Sequence, residues 1–395
     1  MTNGGKKSSG DAEIIYIDNA ATTFPKAERV YSAADEFYRR YGGNAGRGGN
    51  PLARACARLL AETRERLAAW LDAPSPEQVI FTSSATHALN LAILGTDLRP
   101  GDAVYVTPFE HNSVLRPIEH LRQTQGIEVR QIPFSRRTYA CQLEELEAAF
   151  QVDPPALVCV TQASNVCGLM PPIVDIARLA RRVNSRVVII IDGAQTAGLY
   201  PLQLADGLID VFIFSGHKSL YGPYGIAGLV LGSDWRPTPI LFGGTGTQSE
   251  SVLMPDVLPY AYEAGSHNVY AIAGLKEALI WLSEIGRERI TSHIRSVASE
   301  ARHALKDISD LTMYIPGQDD YWVPIISLNI NGIPPQSIEA LLGSKQISVR
   351  SGLHCAPLTH RWLDTLESGG SVRVSPGYFN SIEDIQALVG AIHNI

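Results

Sequence analysis

Lys218 lies in IFSGHKSLYGPYGIAGLVLG (213–232), between one apolar run and a second that is rich in glycine. A lysine at a strand end is by default a solvated surface group. An amine can also attack a carbonyl when its surroundings are arranged for that chemistry, so its companions matter. They are Asp192 and Gln195 in DGAQTAG, His111 in PFEHNS, Asn165 in QASNVCG, Ser215 and His217 in SGHKS, and Thr86 in the hydroxyl-rich SSATH. Singly, each has a bland reading: Asp192 as a helix cap, His111 as a surface histidine, Ser215 as a turn residue.

The elements that must carry these residues give them a common place. Short β-rich runs at 78–82, 103–107, 156–161, 186–192 and 211–215 alternate with helical patterns, among them ATHALNLAILG, NSVLRPIEHLRQ and PPIVDIARLARRV. Continuous Val/Ile/Leu strands alternating with helices predict a mostly parallel sheet buried on both faces. In such a sheet ligands gather beyond the carboxyl ends of the strands, where the singled-out residues fall. The SSATH turn enters a helix whose free N–H groups favour a phosphate. A phosphate cradle, an imidazole, a buried carboxylate and a lysine together describe a site for pyridoxal 5′-phosphate. The lysine would form a Schiff base with the aldehyde, and the carboxylate would keep the ring nitrogen protonated.

The last third changes character, with a long helical pattern near 270–306, an apolar run at 321–330, a helix-like PPQSIEALLGS and a final helix near 382–393. The expected organisation is therefore a flexible tail at 1–12, a large α/β domain at 13–265 and a smaller α+β domain at 266–395. With 395 residues, 45% hydrophobic and 18% charged, the chain can bury sizeable cores. Its formal net charge of −7 argues against nucleic acid or an anionic membrane as partner. Neither a signal peptide nor a membrane span is indicated, and a cytoplasmic location is expected. Cys56, Cys141, Cys159, Cys167 and Cys355 are odd in number, widely spaced and without a C-x-x-C pair, so free thiols are expected and neither disulfides nor a metal site. GGTGTQSES (243–251) is not a P-loop, because no Gly-Lys-Ser/Thr follows its glycines at the required spacing.

From YIDNAATT (16–23) through EHNSV, SNVCG, IDGAQTAG, SGHKSLYGPYG and EAGSHN to RSGLHCAP and VRVSPGYFN (372–380), the chain resembles the cysteine desulfurases of the class V aminotransferase family. The resemblance implies the pyridoxal-phosphate-dependent transferase fold type I, with a mostly parallel seven-stranded sheet. It implies that Lys218 holds the aldimine, Asp192 pairs with the ring nitrogen, His111 stacks on the ring and Gln195 contacts the ring hydroxyl. Thr86, Ser215 and His217 would bind the phosphate, and Ser266 would reach the phosphate of a partner subunit in a homodimer. Asn165 and Arg373 would grip the substrate carboxylate, and Arg350 would position substrate or the Cys355 loop. RSGLHCAP matches the group with a short cysteine loop. The implied reaction converts L-cysteine to L-alanine, with sulfur passing to Cys355 as a persulfide for an acceptor protein or small molecule. The freed Lys218 amine would move protons at the α-carbon. The adjacent His354 is one candidate base for the Cys355 thiol, and Cys167 lies close to the Asn165 turn. Ala85, His87 and Leu353 stand where other residues are common in the family. Two further readings stay open: a selenocysteine lyase or related lyase or epimerase in which Cys355 is incidental, and a catalytically silent scaffold.

Overall fold

The computed structural model describes residues 14–45, 49–317 and 322–395; the expected tail at 1–12 lies outside them. A two-residue strand, β1 (Ile15–Tyr16), comes first. The central sheet is built from β2 (Val79–Thr82), β3 (Ala103–Val106), β4 (Glu128–Gln131), β5 (Pro155–Thr161), β6 (Val188–Asp192), β7 (Val211–Ser215) and β8 (Ala227–Leu231). Their order is β2-β8-β7-β6-β5-β3-β4. Only β8 runs against the rest, pairing antiparallel with β2 and β7. The expected mostly parallel seven-stranded α/β sheet is thus present.

Both faces of this sheet are covered, and the strand residues alternate strictly between two cores. Val158, Val160, Ile189, Ile191, Phe212 and Phe214 join the helices Pro51–Leu71, Ile173–Val183 and Val269–Ile285. Leu157, Cys159, Val188, Ile190, Val211 and Ile213 join Ala85–Leu94 and Asn112–Gln125. A period of two with both phases apolar is what a strand buried between two helix layers requires.

The remaining strands are β9 (Leu311–Tyr314), β10 (Ile326–Ile330), β11 (Ile347–Ser348), β12 (Arg350–Gly352) and β13 (Ser371–Val374). Four of them form an antiparallel sheet ordered β12-β13-β10-β9, while β11 pairs in parallel with β1. Ile17 packs in the core behind this sheet, together with Val297, Ala301, Leu342 and Ile385. The single helix expected near 270–306 is two helices, Val269–Ile285 and Arg287–Leu305, because Gly286 between them takes a φ of +90°. The first joins the large core, and the second contributes Ile290 and Ile294 to the large core and Val297, Ala298, Ala301 and Leu305 to the other.

Candidate active site

The carboxyl ends of β2, β3, β5, β6 and β7 open onto one cavity of about 240 Å³. Its lining includes Thr86, His111, Asn165, Asp192, Gln195, Ser215, His217, Lys218, Arg350, Cys355 and Arg373. Every expected site residue is therefore brought together except Ser266, which lines a neighbouring cavity with Ser83, His87 and His267.

Asp192 ends β6, where the following Gly193 leaves no room for a side chain against the Phe212 ring. Its Oδ1 accepts from the Ala194 N–H at 2.9 Å. Burial raises its carboxyl above the usual range, while that N–H and the Lys218 charge pull it down. Burial brings the Lys218 amine down to about 8, against the pull of Asp192. The two are not within ion-pairing distance, and no described group accepts a hydrogen bond from the Lys218 ammonium. A buried amine and a buried carboxylate facing one cavity without touching leave room for a group between them.

His111 caps the helix Asn112–Gln125, its Nδ1 accepting from the Ser113 N–H at 3.1 Å. Burial, and then the cations Lys218, Arg350 and Arg373, bring its pKa down to about 4, so the ring is neutral near pH 7. With Nδ1 occupied as acceptor, the proton sits on Nε2. Ser113 Oγ lies 3.0 Å from that Nδ1 and 2.7 Å from Thr86 Oγ1, linking the histidine to the first turn of Ala85–Leu94. Ser84 caps this helix and also lines the cavity, which leaves free N–H groups at its mouth. His217 Nδ1 is buried and has no hydrogen-bond partner among the described residues. These donors suit a phosphate, and with Lys218 and Asp192 the residues fit pyridoxal phosphate.

Arg350 and Arg373 stand directly opposite each other on β12 and β13, and both line the cavity. Like charges paired across strands repel, so the arrangement favours an anion between them. Arg373 is 1% exposed; it donates to Asp18 Oδ1 at 2.6 Å and to the Asn165 carbonyl at 3.0 Å, while its Nε has no partner among the described residues. Asn165 in turn donates to the His354 carbonyl at 2.7 Å, tying this turn to the cysteine loop.

That loop is short, spanning 353–356 between β12 and the helix Pro357–Trp362. His354 and Cys355 both take positive φ, +47° and +57°, a strained region for non-glycine residues. The Cys355 carbonyl is held by the Asn112 N–H at 2.7 Å. Of the five cysteines only Cys355 is exposed. Cys167 is fully buried, absent from the cavity wall, and its thiol is raised by burial. His354 does not serve Cys355 as a base: its ring turns inward, Nε2 donates to the Ser371 carbonyl at 3.1 Å, Nδ1 is sealed from solvent, and burial drives its pKa to about 2. Asp18, Ser113 and Glu110 were not singled out from the sequence as site residues; the first lay within YIDNAATT and the others within PFEHNS.

The family model described as aminotransferase class-V matches residues 15–388. A probable cysteine desulfurase of Methanothermobacter thermautotrophicus is 32% identical, covering 96% of this chain and 94% of that protein. A cysteine desulfurase of Haloferax volcanii is 30% identical, covering 98% and 91%. Among solved structures, the apo cysteine desulfurase of Thermococcus onnurineus NA1 matches with a TM-score of 0.88 at 27% identity, covering 96% and 94%. The cysteine desulfurase CsdA of Escherichia coli gives 0.82 at 28%, with the same coverage.

Proposed function

The chain belongs to the class-V aminotransferase family, and from that premise we propose how its residues divide the work of a pyridoxal-phosphate-dependent cysteine desulfurase. The observation that carries the reading is the meeting of Lys218, Asp192, the opposed arginines and the exposed Cys355 on one cavity. When bound, pyridoxal phosphate supplies an aldehyde for the substrate amine and a ring that takes up electron density from the α-carbon. Thr86, Ser215 and His217 would hold its phosphate, Asp192 would serve the ring nitrogen, Gln195 the ring hydroxyl and His111 the ring face. Arg373, with Asn165 and Arg350, receives the carboxylate of L-cysteine.

Lys218, with its amine lowered towards neutrality, removes and returns protons at the substrate α-carbon. Cys355, as thiolate, forms a sulfur–sulfur bond while the substrate carbon–sulfur bond breaks. L-cysteine and the thiol thereby yield L-alanine and a persulfide; the two sulfurs that join are oxidised by one electron each, and the substrate β-carbon is reduced by two. The exposed short loop suits a cysteine that must next meet a sulfur acceptor, protein or small molecule.

The same reading makes the protein a homodimer. Supporting it, Leu241, Phe242, Val252, Leu253 and Val257 form an exposed apolar run in the segment leading to Ser266, and Ser266 stands apart from this chain's own cavity. A second copy covering that run would bring Ser266 to the other phosphate. We assign the large core to cofactor binding and the small sheet to presentation of Cys355 and the arginines. Five free thiols fit the reducing cytoplasm; no described helix is long and apolar enough to cross a membrane. Incubation of the purified protein with L-cysteine and a reductant tests the reading: alanine and sulfide should form in equal amounts, and neither forming would overturn it.

A further inference from the structure

One buried carboxyl beside the cavity has no part in the mechanism above. Glu110 is fully buried, immediately precedes His111, and sits between the ends of β3 and β5. Its Oε1 accepts from the Thr107 hydroxyl at 2.6 Å and from the Thr161 N–H at 2.8 Å. Thr107 Oγ1 itself accepts from the Phe109 N–H at 3.1 Å, so its single proton is directed to Glu110. Thr161 is the register partner of Asp192 across β5 and β6, and the next residue's N–H donates to the Asp192 carbonyl at 2.8 Å. One side chain therefore ties the turn that carries His111 to the strand end that lies against Asp192.

We propose that Glu110 is a positioning residue: it fixes the His111 turn against the β5 end beside Asp192, and so sets the spacing of the two groups that receive the cofactor ring. The proposal rests on the pyridoxal phosphate reading. Two hydrogen bonds use both lone pairs of Oε1, whereas Oε2 is buried with no partner among the described residues. Ionised, Glu110 would leave a bare charged oxygen there. Burial pushes its carboxyl up to about 8, and the Asp192 charge acts in the same direction. Glutamine is then a close mimic, keeping the Oε1 acceptor without a charge; alanine removes the tie.

The test is reconstitution of apoprotein with pyridoxal phosphate, read by dissociation constant and by visible circular dichroism of the bound cofactor, with far-ultraviolet dichroism as the folding control. Glu110→Gln should keep the wild-type visible spectrum and a Kd within about twofold. Folded Glu110→Ala should raise Kd about tenfold and weaken the visible dichroic band, the loss expected for a buried hydrogen-bond tie. If that variant does not fold, Thr107→Val carries the test, with about a threefold rise in Kd and a weaker band. An unchanged Kd and band in folded Glu110→Ala, or in Thr107→Val, overturns the proposal. So does a Glu110→Gln variant that loses the cofactor as alanine does, because charge would then be what acts. Absence of saturable binding by the wild-type chain would instead overturn the cofactor reading itself.

Discussion

Replacing Arg373 by lysine keeps a positive charge and removes the planar fork, which separates simple attraction from geometric recognition of a carboxylate. In the structure the two terminal nitrogens of Arg373 are engaged by Asp18 and the Asn165 carbonyl, leaving Nε unpartnered among the described residues, with Arg350 opposite across the strand pair. A lysine cannot hold Asp18 and Asn165 and still reach the substrate. One charge-assisted hydrogen bond contributes about 1.5–3 kcal/mol, and about 1.4 kcal/mol is tenfold. The KM for L-cysteine should therefore rise about ten- to hundredfold, with a smaller change in kcat. Arg350→Gln, at a half-buried position with no ion pair among the described residues, should raise KM only about threefold. The assay is steady-state alanine formation against L-cysteine concentration, with cofactor absorbance confirming an intact site. A KM within about threefold of wild type for a folded, coloured Arg373→Lys would refute the carboxylate assignment.

Lys218→Ala should lose the wild-type visible band of the cofactor and all turnover, whereas Asp192→Ala should bind some cofactor weakly and turn over poorly; full turnover in either would remove the assignment. Acid should weaken the fold through His360, which is fully buried with its pKa brought down to about 4 by burial. Its folded pKa lies below the unfolded value near 6.5, so its contribution is complete above that value and falls away as pH drops towards 4; at pH 5 the loss is roughly 2 kcal/mol. Urea denaturation of wild type and His360→Gln at pH 7 and pH 5 isolates this from Glu110, which works in the opposite sense; equal pH slopes would contradict it. Sedimentation should give a two-chain particle, and Phe242→Glu, at a side chain 69% exposed, should shift it towards monomer; an unchanged dimer would place the interface elsewhere.

What the sequence made legible follows from burial. The inner strands are double-sided Val/Ile/Leu runs, so their pattern cannot be mistaken for surface. The strand Glu128–Gln131 escaped because it is a mostly exposed sheet edge whose residues are Glu, Val, Arg and Gln. Gly286 is compatible with a helix by residue type, and the break lies in its positive-φ backbone, which composition does not encode. Lys218, Asp192 and His111 could be grouped because each follows a strand of one parallel sheet. Glu110 could not, because its role depends on a hydrogen bond to Thr161, 51 residues away. His354 misled for a related reason: adjacency to Cys355 in sequence says nothing of direction, and two successive left-handed residues leave the His354 side chain buried and the Cys355 thiol exposed.

The central claim is that Cys355 takes the sulfur of L-cysteine. The most direct measurement is mass spectrometry of the holoenzyme after exposure to L-cysteine without reductant, with peptide mapping, on wild type and Cys355→Ser. The account predicts one added sulfur on the wild-type peptide containing Cys355, and a Cys355→Ser protein that keeps its cofactor colour but gains no sulfur and releases almost no alanine. Sulfur found on another cysteine, or undiminished alanine formation by Cys355→Ser, would contradict it.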